Sequence, residues 1–183
     1  GIWTDGVRVI VAGFDDGTIT TLNIRNVVDK GCPPAIMGTI SDSRLAGAHG
    51  LVVVDDMAYV ACTDAGSLCA IDVSGRQPRI VGVLRDKRLA GAAAVATYGG
   101  AWNGMPRLIV AGGTTPATSS IAMVDIRNPE CMSITGALPT ASIAGAAGIV
   151  VAGHHAFITA TDGALLTVVD VADPTRPRHT ATY

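Results

Sequence analysis

The 183-residue sequence has little of what several classes of protein require. Only 15% of its residues are charged and 4% are aromatic, and its formal net charge is −2. Intrinsic disorder needs a high charge and few apolar residues, and nothing electrostatic here favours nucleic acid or an anionic membrane. No apolar run approaches the roughly 20 residues of a membrane helix. We therefore expect neither a nucleic-acid partner nor a membrane span.

The four cysteines show no C-x-x-C spacing, which argues against a zinc site of that type. Cys62 and Cys69 flank one predicted hairpin turn, where they would lie directly opposite each other. A disulfide and a pair of reduced thiols both remain open for them, and the compartment is undecided. We expect no cofactor.

What the sequence does contain is an internal repeat. Residues 45–73 and 143–171 align without a gap, with 12 identities in 29 positions. A third copy begins at Leu89 and carries extra residues at 99–106 and 114–119, and a partial fourth copy covers residues 9–24. The predicted units of this single domain are residues 1–44, 45–86, 87–140 and 141–183.

Each unit is predicted to form four short strands separated by turn residues. In the second unit the strands are residues 50–54, 58–63, 68–73 and 79–84. Four strands in a repeat of about 45 residues are typical of a β-propeller blade. The sequence therefore predicts an all-β propeller of four-stranded blades.

The third strand of each complete unit closes on the same pattern, an apolar run followed by an aspartate: Asp72, Asp125 and Asp170. This pattern, with the preceding strands at 58–61 and 156–159, resembles the LVIVD-repeat β-propeller family. The resemblance implies the fold and carries no shared catalytic motif, and relatives are commonly secreted or on the cell surface. We expect the aspartates to end the strands and hold the following turns.

The first unit differs from the others because residues 1–6 show none of the Gly-Ala pattern that opens an inner strand. We predict that this blade lacks its inner strand, so that the chain has fifteen strands. The missing strand would come from an upstream part of the polypeptide, a second copy or another subunit. The four blades then either close alone or form half of a seven- or eight-bladed ring.

One residue breaks the repeat close to the predicted axis. His49 stands where the matching units have Ala93 and Ala147. A ligand site in a propeller channel is expected where such a polar residue interrupts the repeat. One histidine is a poor metal site, and no convergent set of catalytic residues is present, so we predict neither a metal site nor catalytic residues.

Further candidates lie in the loops. Arg85, Lys87 and Arg88 form a basic cluster between two blades, and Trp102 lies in the inserted segment 99–106. Arg and Trp are frequent anchors of protein interfaces. The leading hypothesis is a non-catalytic scaffold or protein-interaction module, a subunit of a larger assembly. The alternatives are a small-ligand binder or enzyme with its site at the channel mouth near His49, and a secreted or cell-surface module.

Overall fold

The computed structural model describes residues 1–98 and 107–183, so the segment around Trp102 lies outside the described residues. The described chain forms four antiparallel sheets of four strands each, in which neighbouring strands follow sequence order. Each sheet lies within one predicted repeat unit, and the limits of the units themselves stay a prediction. The all-β propeller architecture of four-stranded blades is confirmed.

The strands of the first two blades are β1 (Ile2–Thr4), β2 (Arg8–Gly13), β3 (Thr18–Asn23), β4 (Ala35–Ser41), β5 (Ala48–Val54), β6 (Met57–Cys62), β7 (Ser67–Asp72) and β8 (Arg79–Arg85). The strands of the last two are β9 (Ala92–Tyr98), β10 (Arg107–Gly112), β11 (Ser120–Asp125), β12 (Ser133–Pro139), β13 (Ala146–Ala152), β14 (His155–Ala160), β15 (Leu165–Asp170) and β16 (Arg178–Thr182). One α-helix, α1 (Arg25–Lys30), lies between β3 and β4. Short 3-10 turns at Ser43–Leu45, Lys87–Leu89 and Ala141–Ile143 lead from each outer strand to the next inner strand.

The first blade has its own inner strand, so the prediction of fifteen strands and a borrowed inner strand is wrong. Strand β1 pairs with β2 through Ile2–Val11 and Thr4–Val9. The chain can fold back so early because the Asp5 carboxylate accepts hydrogen bonds from the amides of residues 7 and 8, and Gly6 adopts a φ of +87°. The strand was missed because three residues carry no recognisable repeat pattern.

The core consists of three clusters, each between two consecutive blades. The middle cluster joins Tyr59 and Leu68 of the second blade to Leu108 and Val110 of the third, all at most 2% exposed. Packing follows chain order, and the described residues of the first and fourth blades make no extensive contact with each other. The hydrophobic effect therefore acts between blades, because a single blade has no core of its own.

A glycine in the outer strand marks every internal junction. An added Cβ at these glycines would overlap the carbonyl oxygen of a connection in the following blade; the pairs are Gly38 with Arg76, Gly82 with Pro129, and Gly136 with Pro174. Within its own blade, each of these glycines lies opposite the fourth residue of the third strand. The strand pairing has a β-bulge at this point. The same register in the fourth blade places Ala181 opposite Val168.

The aspartates of the repeat motif hold the turns as predicted. Asp72, Asp125 and Asp170 each accept a hydrogen bond from the backbone amide two residues later, over 2.9–3.0 Å. This is the Asx turn that lets a strand end without leaving a free amide. These carboxylates therefore have a structural role in the fold.

Cys62 and Cys69 lie diagonally rather than directly opposite, because Cys62 pairs with Ser67 and Cys69 with Val60. Both are fully buried and free, with their sulfur atoms 3.8 Å apart. The contact with Cys69, together with burial, raises the pKa of the Cys62 thiol. Of the two alternatives, a disulfide and a pair of reduced thiols, the structure thus shows the reduced thiols.

Candidate functional site

A cavity of about 370 Å³ lies at the axis and has walls from all four blades. Most of its lining comes from equivalent places in the repeat: the second residue of the inner strand in the second, third and fourth blades, and the turn after the second strand in all four blades. The side chains with chemistry are Phe14, His49, Thr63, Thr114, Thr161 and Asp162. The rest of the wall consists of glycine and alanine. The repeated segments therefore form a narrow cavity, and the six side chains named above are the groups available for contact with a ligand.

A glycine precedes three of the inner strands, and two of these glycines, Gly91 and Gly145, line this cavity. Gly47, Gly91 and Gly145 directly precede the inner strands of the second to fourth blades and have φ values of +68°, +65° and +69°. A side chain at such a φ is strained. The backbone conformation near the axis therefore requires the glycines of the Gly-Ala pattern.

His49 lies in the cavity, as the break in the repeat predicted. Its Nδ1 atom is 2.9 Å from the carbonyl oxygen of Ala93 in the next blade. A carbonyl oxygen can only accept, so Nδ1 carries the proton and Nε2 of the neutral ring is an acceptor. The hydrogen bond fixes both the tautomer and the position of the ring.

Phe14 is the site residue that the sequence analysis missed. It follows β2 at the position held by Thr63 after β6, by Gly113 after β10 and by Thr161 after β14, so it is the one aromatic residue at this position. Its ring packs edge-on against His49, with centroids 5.9 Å apart and an interplanar angle of 86°. Comparing the turns after the second strands would have found it. The two exceptions to the repeat thus meet in one cavity.

The basic cluster does not join this site. Lys87 and Arg88 line a separate surface depression with Thr118, Ser120 and Pro139. Arg88 is bound within its own turn, because its side chain donates to both oxygens of Asp86 over 2.7–2.8 Å. Arg85 is exposed at the end of β8. The predicted roles of Arg85, Lys87, Arg88 and Trp102 in binding all stay predictions, and Arg88 also has a partner inside the fold.

The Arg88 contact should be visible in the titration of Asp86. Hydrogen bonds from the Arg88 side chain and amide lower the pKa of this carboxyl to about 2. A carboxyl with a lowered folded-state pKa stabilises the fold above its ordinary value of 3.8, and this stability is lost as the pH falls towards 2. The pair is partly exposed, with 40% of the Arg88 and 26% of the Asp86 side chain accessible to solvent, so we expect a contribution below about 1 kcal/mol.

NMR titration of the Asp86 carboxyl carbon measures this directly. In Arg88→Ala the pKa should rise towards the ordinary value, although the amide hydrogen bond at residue 88 remains. The difference in stability between wild type and variant should shrink as the pH falls through the folded-state pKa of about 2 and should vanish only below it. An unchanged Asp86 titration in the variant would contradict the assigned contact.

Comparison with known proteins agrees with the architecture. The LVIVD repeat model matches residues 144–183, which contain the fourth blade. The chain is therefore a β-propeller chain of four blades, and it carries the LVIVD repeat. No curated protein sequence matches it.

The chain spans about half the length of most of the solved structures that it resembles. A protein assigned as a 6-phosphogluconolactonase from Bacteroides uniformis has a TM-score of 0.76 at 14% identity, covering 98% of this chain and 52% of that one. The periplasmic gluconolactonase of Pseudomonas aeruginosa has a TM-score of 0.71 at 9% identity, covering 99% and 52%. For hydrazine synthase of Kuenenia stuttgartiensis the values are 0.69, 14%, 96% and 47%. At these identities the likeness shows the fold alone.

No helix among the described residues is both long and apolar enough to cross a membrane. Those residues also contain no cluster of three or more His, Cys, Asp or Glu side chains suited to a metal ion.

Proposed function

We propose that the chain binds a small, uncharged polar molecule in the axial cavity. The observation that carries the proposal is the contact between Phe14 and His49, the two exceptions to the repeat, inside a space lined otherwise by small residues. A volume of about 370 Å³ lies at the lower end of the range for ligand sites, roughly 300–1,000 Å³. This size suits a molecule such as a monosaccharide derivative.

The charge of the lining favours a neutral ligand. The described lining has one carboxylate, Asp162, and no lysine or arginine. A phosphorylated or carboxylated molecule would meet this carboxylate without a compensating cation. The Phe14 ring offers an apolar face, while the threonine hydroxyls and His49 Nε2 offer hydrogen bonds. One of the similar structures is named a gluconolactonase and another is assigned as a 6-phosphogluconolactonase; given the charge of the lining, the neutral sugar lactone is the first probe.

We propose that the chain binds this molecule without converting it to a product. Among the described lining residues, His49 is the one imidazole, the side-chain type that most often acts as a general base. It has no acid or nucleophile at hydrogen-bond distance among the described contacts. Lactone hydrolysis by this chain is the second candidate, because the similar folds include enzymes of that name.

The test compares wild type with a variant in which the exceptions are returned to the repeat, Phe14→Thr with His49→Ala. Calorimetric titration with D-glucono-1,5-lactone, and with its 6-phosphate as the charged counterpart, should show binding of the neutral molecule to wild type. We expect at least a tenfold loss of affinity in the double variant. Thr118→Ala, in the separate loop depression, is the matched control and should bind as wild type does.

Equal affinity of wild type and the double variant would contradict the proposal. Tighter binding of the phosphate would contradict the charge argument. If wild type hydrolyses the lactone and His49→Ala does not, lactone hydrolysis, the second candidate, replaces simple binding as the function.

The scaffold hypothesis from the sequence remains a proposal supported by different features. Ile2, Ile36 and Val150 lie on the first and fourth blades and are 60–72% exposed. Large apolar side chains at the ends of a repeat array favour contact with another protein surface.

A further inference from the structure

Arg8 shows how the junction between the first and second blades neutralises an arginine. This residue opens β2 and donates from Nε to the Asp5 carboxylate of its own blade over 3.0 Å. Its Nη1 atom lies 2.8 Å from the Asp56 carboxylate and 3.4 Å from the carbonyl oxygen of Val73, both in the second blade. Carboxylates of two blades therefore hold this guanidinium.

Arg107 occupies the same position at the junction of the third and fourth blades, without these partners. It opens β10 and lies opposite Asp125, the last residue of the third strand, as Arg8 lies opposite Asn23. The Nε and Nη1 atoms of Arg107 are buried and have no hydrogen-bond partner among the described residues. A buried donor of a charged group without an acceptor is costly, because it has lost its hydration. The second blade has Met57 at this position and needs no acceptor.

The sequence explains why the carboxylates are missing at this junction. His154 stands where the second blade has Asp56, as the second residue of the turn between the inner strand and the next. In both blades the carbonyl oxygen of this residue accepts a hydrogen bond, over 2.8–2.9 Å, from the amide that follows the third strand. The segment 99–106 corresponds to the turn that holds Asp5, and its sequence contains neither aspartate nor glutamate.

The two aspartates that end the third strands of these blades are engaged by their own turns. Both oxygens of Asp125 accept hydrogen bonds from the Arg127 side chain over 2.6–3.1 Å. An oxygen of Asp170 accepts one from the amide of residue 172 over 2.9 Å. Neither carboxylate is within hydrogen-bond distance of Nε or Nη1 of Arg107. A further acceptor therefore has a place beside this guanidinium.

Tyr98 supplies a second donor at the same place. It lies opposite Arg107 in the sheet, is 2% exposed, and has its hydroxyl oxygen 3.5 Å from Nδ1 of His154. Burial raises the pKa of Tyr98, so the hydroxyl keeps its proton and can donate it to an anion. Arg107 is partly exposed and His154 is exposed, so a small anion can approach from solvent and displace the imidazole.

We propose that this junction binds a small organic carboxylate, which takes the place of Asp56 and accepts hydrogen bonds from Arg107 Nη1 and the Tyr98 hydroxyl. Hydrogen bonds between arginine and a carboxylate are among the strong ones in proteins. The site lies at the opposite end of the inner strands from the axial cavity, because Ala93 near the start of β9 lines the cavity and Tyr98 ends this strand. The two proposals are therefore independent.

Side-chain NMR of the isotope-labelled chain tests binding in increasing acetate, with chloride keeping the ionic strength constant. The Nε–H resonance of Arg107 should shift and saturate. The resonance of Arg8 is the matched control within the chain and should stay in place, because its aspartates already hold it. Acetamide, a neutral molecule of similar shape, should leave Arg107 unchanged. No saturable shift of Arg107, or an equal shift with acetamide, would overturn the proposal.

Two variants test the place of the carboxylate. His154→Asp restores the arrangement of the second blade, so it should weaken acetate binding at least tenfold and raise the melting temperature in chloride. His179→Asp, on the outer strand of the same blade, is its matched control and should bind acetate as wild type does.

Arg107→Met copies Met57 of the second blade and should be folded by circular dichroism. Acetate should raise the melting temperature of wild type, because a ligand that binds the folded state stabilises it, and should have a smaller effect on Arg107→Met. An equal acetate effect on both proteins, or wild-type acetate affinity in His154→Asp, would overturn the proposal.

Discussion

Gly82→Ala lowers the free energy of unfolding by about 1–3 kcal/mol or more, because the added methyl group overlaps the backbone carbonyl of Pro129. Backbone on both sides of the contact belongs to strands or tight connections, so neither partner can move without disturbing a junction. The same reasoning applies to Gly136→Ala at the next junction. Urea denaturation followed by circular dichroism measures the change.

The controls for this prediction lie in the same chain. Gly75→Ala adds a methyl group that meets nothing within 4 Å, so its effect should stay within about 0.5 kcal/mol. Ala181→Gly introduces a glycine where no connection of another blade packs in the described structure, and it should not stabilise these 183 residues. A loss in Gly75→Ala equal to that in Gly82→Ala would show that chain flexibility, rather than the junction, sets the effect.

Leu89→Ala should cost about 2–5 kcal/mol, the usual range for a large apolar residue removed from a packed core. Leu89 is 1% exposed and ends the 3-10 turn that leads into the third blade, where it packs between the second and third blades. Leu45 and Ile143 occupy the same position at the other two junctions. Leu89→Met keeps most of the volume and should cost less than about 1.5 kcal/mol.

Differential scanning calorimetry would also show how far the four blades unfold together. Since the clusters join neighbouring blades, loss of the middle junction should lower the stability of both halves of the chain. An unchanged melting temperature in Leu89→Ala would contradict the role assigned to this position.

The second blade shows what the sequence could predict. Its four strands were placed within two residues of their observed ends, because alternating apolar residues and turn residues both mark them. The Asx turns at Asp72, Asp125 and Asp170 were also predicted, since a motif repeated in every unit most simply serves the fold. Repetition is thus a strong signal for architecture.

The misses occurred where repetition gives no signal. Strand β1 has three residues and depends on a local turn at Asp5 and Gly6, which no other unit contains. The diagonal placement of Cys62 and Cys69 depends on the strand register, which hairpin symmetry alone did not fix. Phe14 lies in the partial first copy, which matches the other units only over residues 9–24, so a single departure there stands out less than it does in a complete unit.

The most direct test of the axial site is its location on the molecule. Amide spectra of the labelled chain, recorded with increasing D-glucono-1,5-lactone, should shift at Phe14, His49, Thr63 and Thr161, which lie in three different blades. The double variant Phe14→Thr with His49→Ala should show no saturable shifts at the remaining positions. Shifts confined to Lys87, Arg88 and Ser120, or to the exposed faces of the end blades, would contradict the assignment of the axial cavity as the binding site.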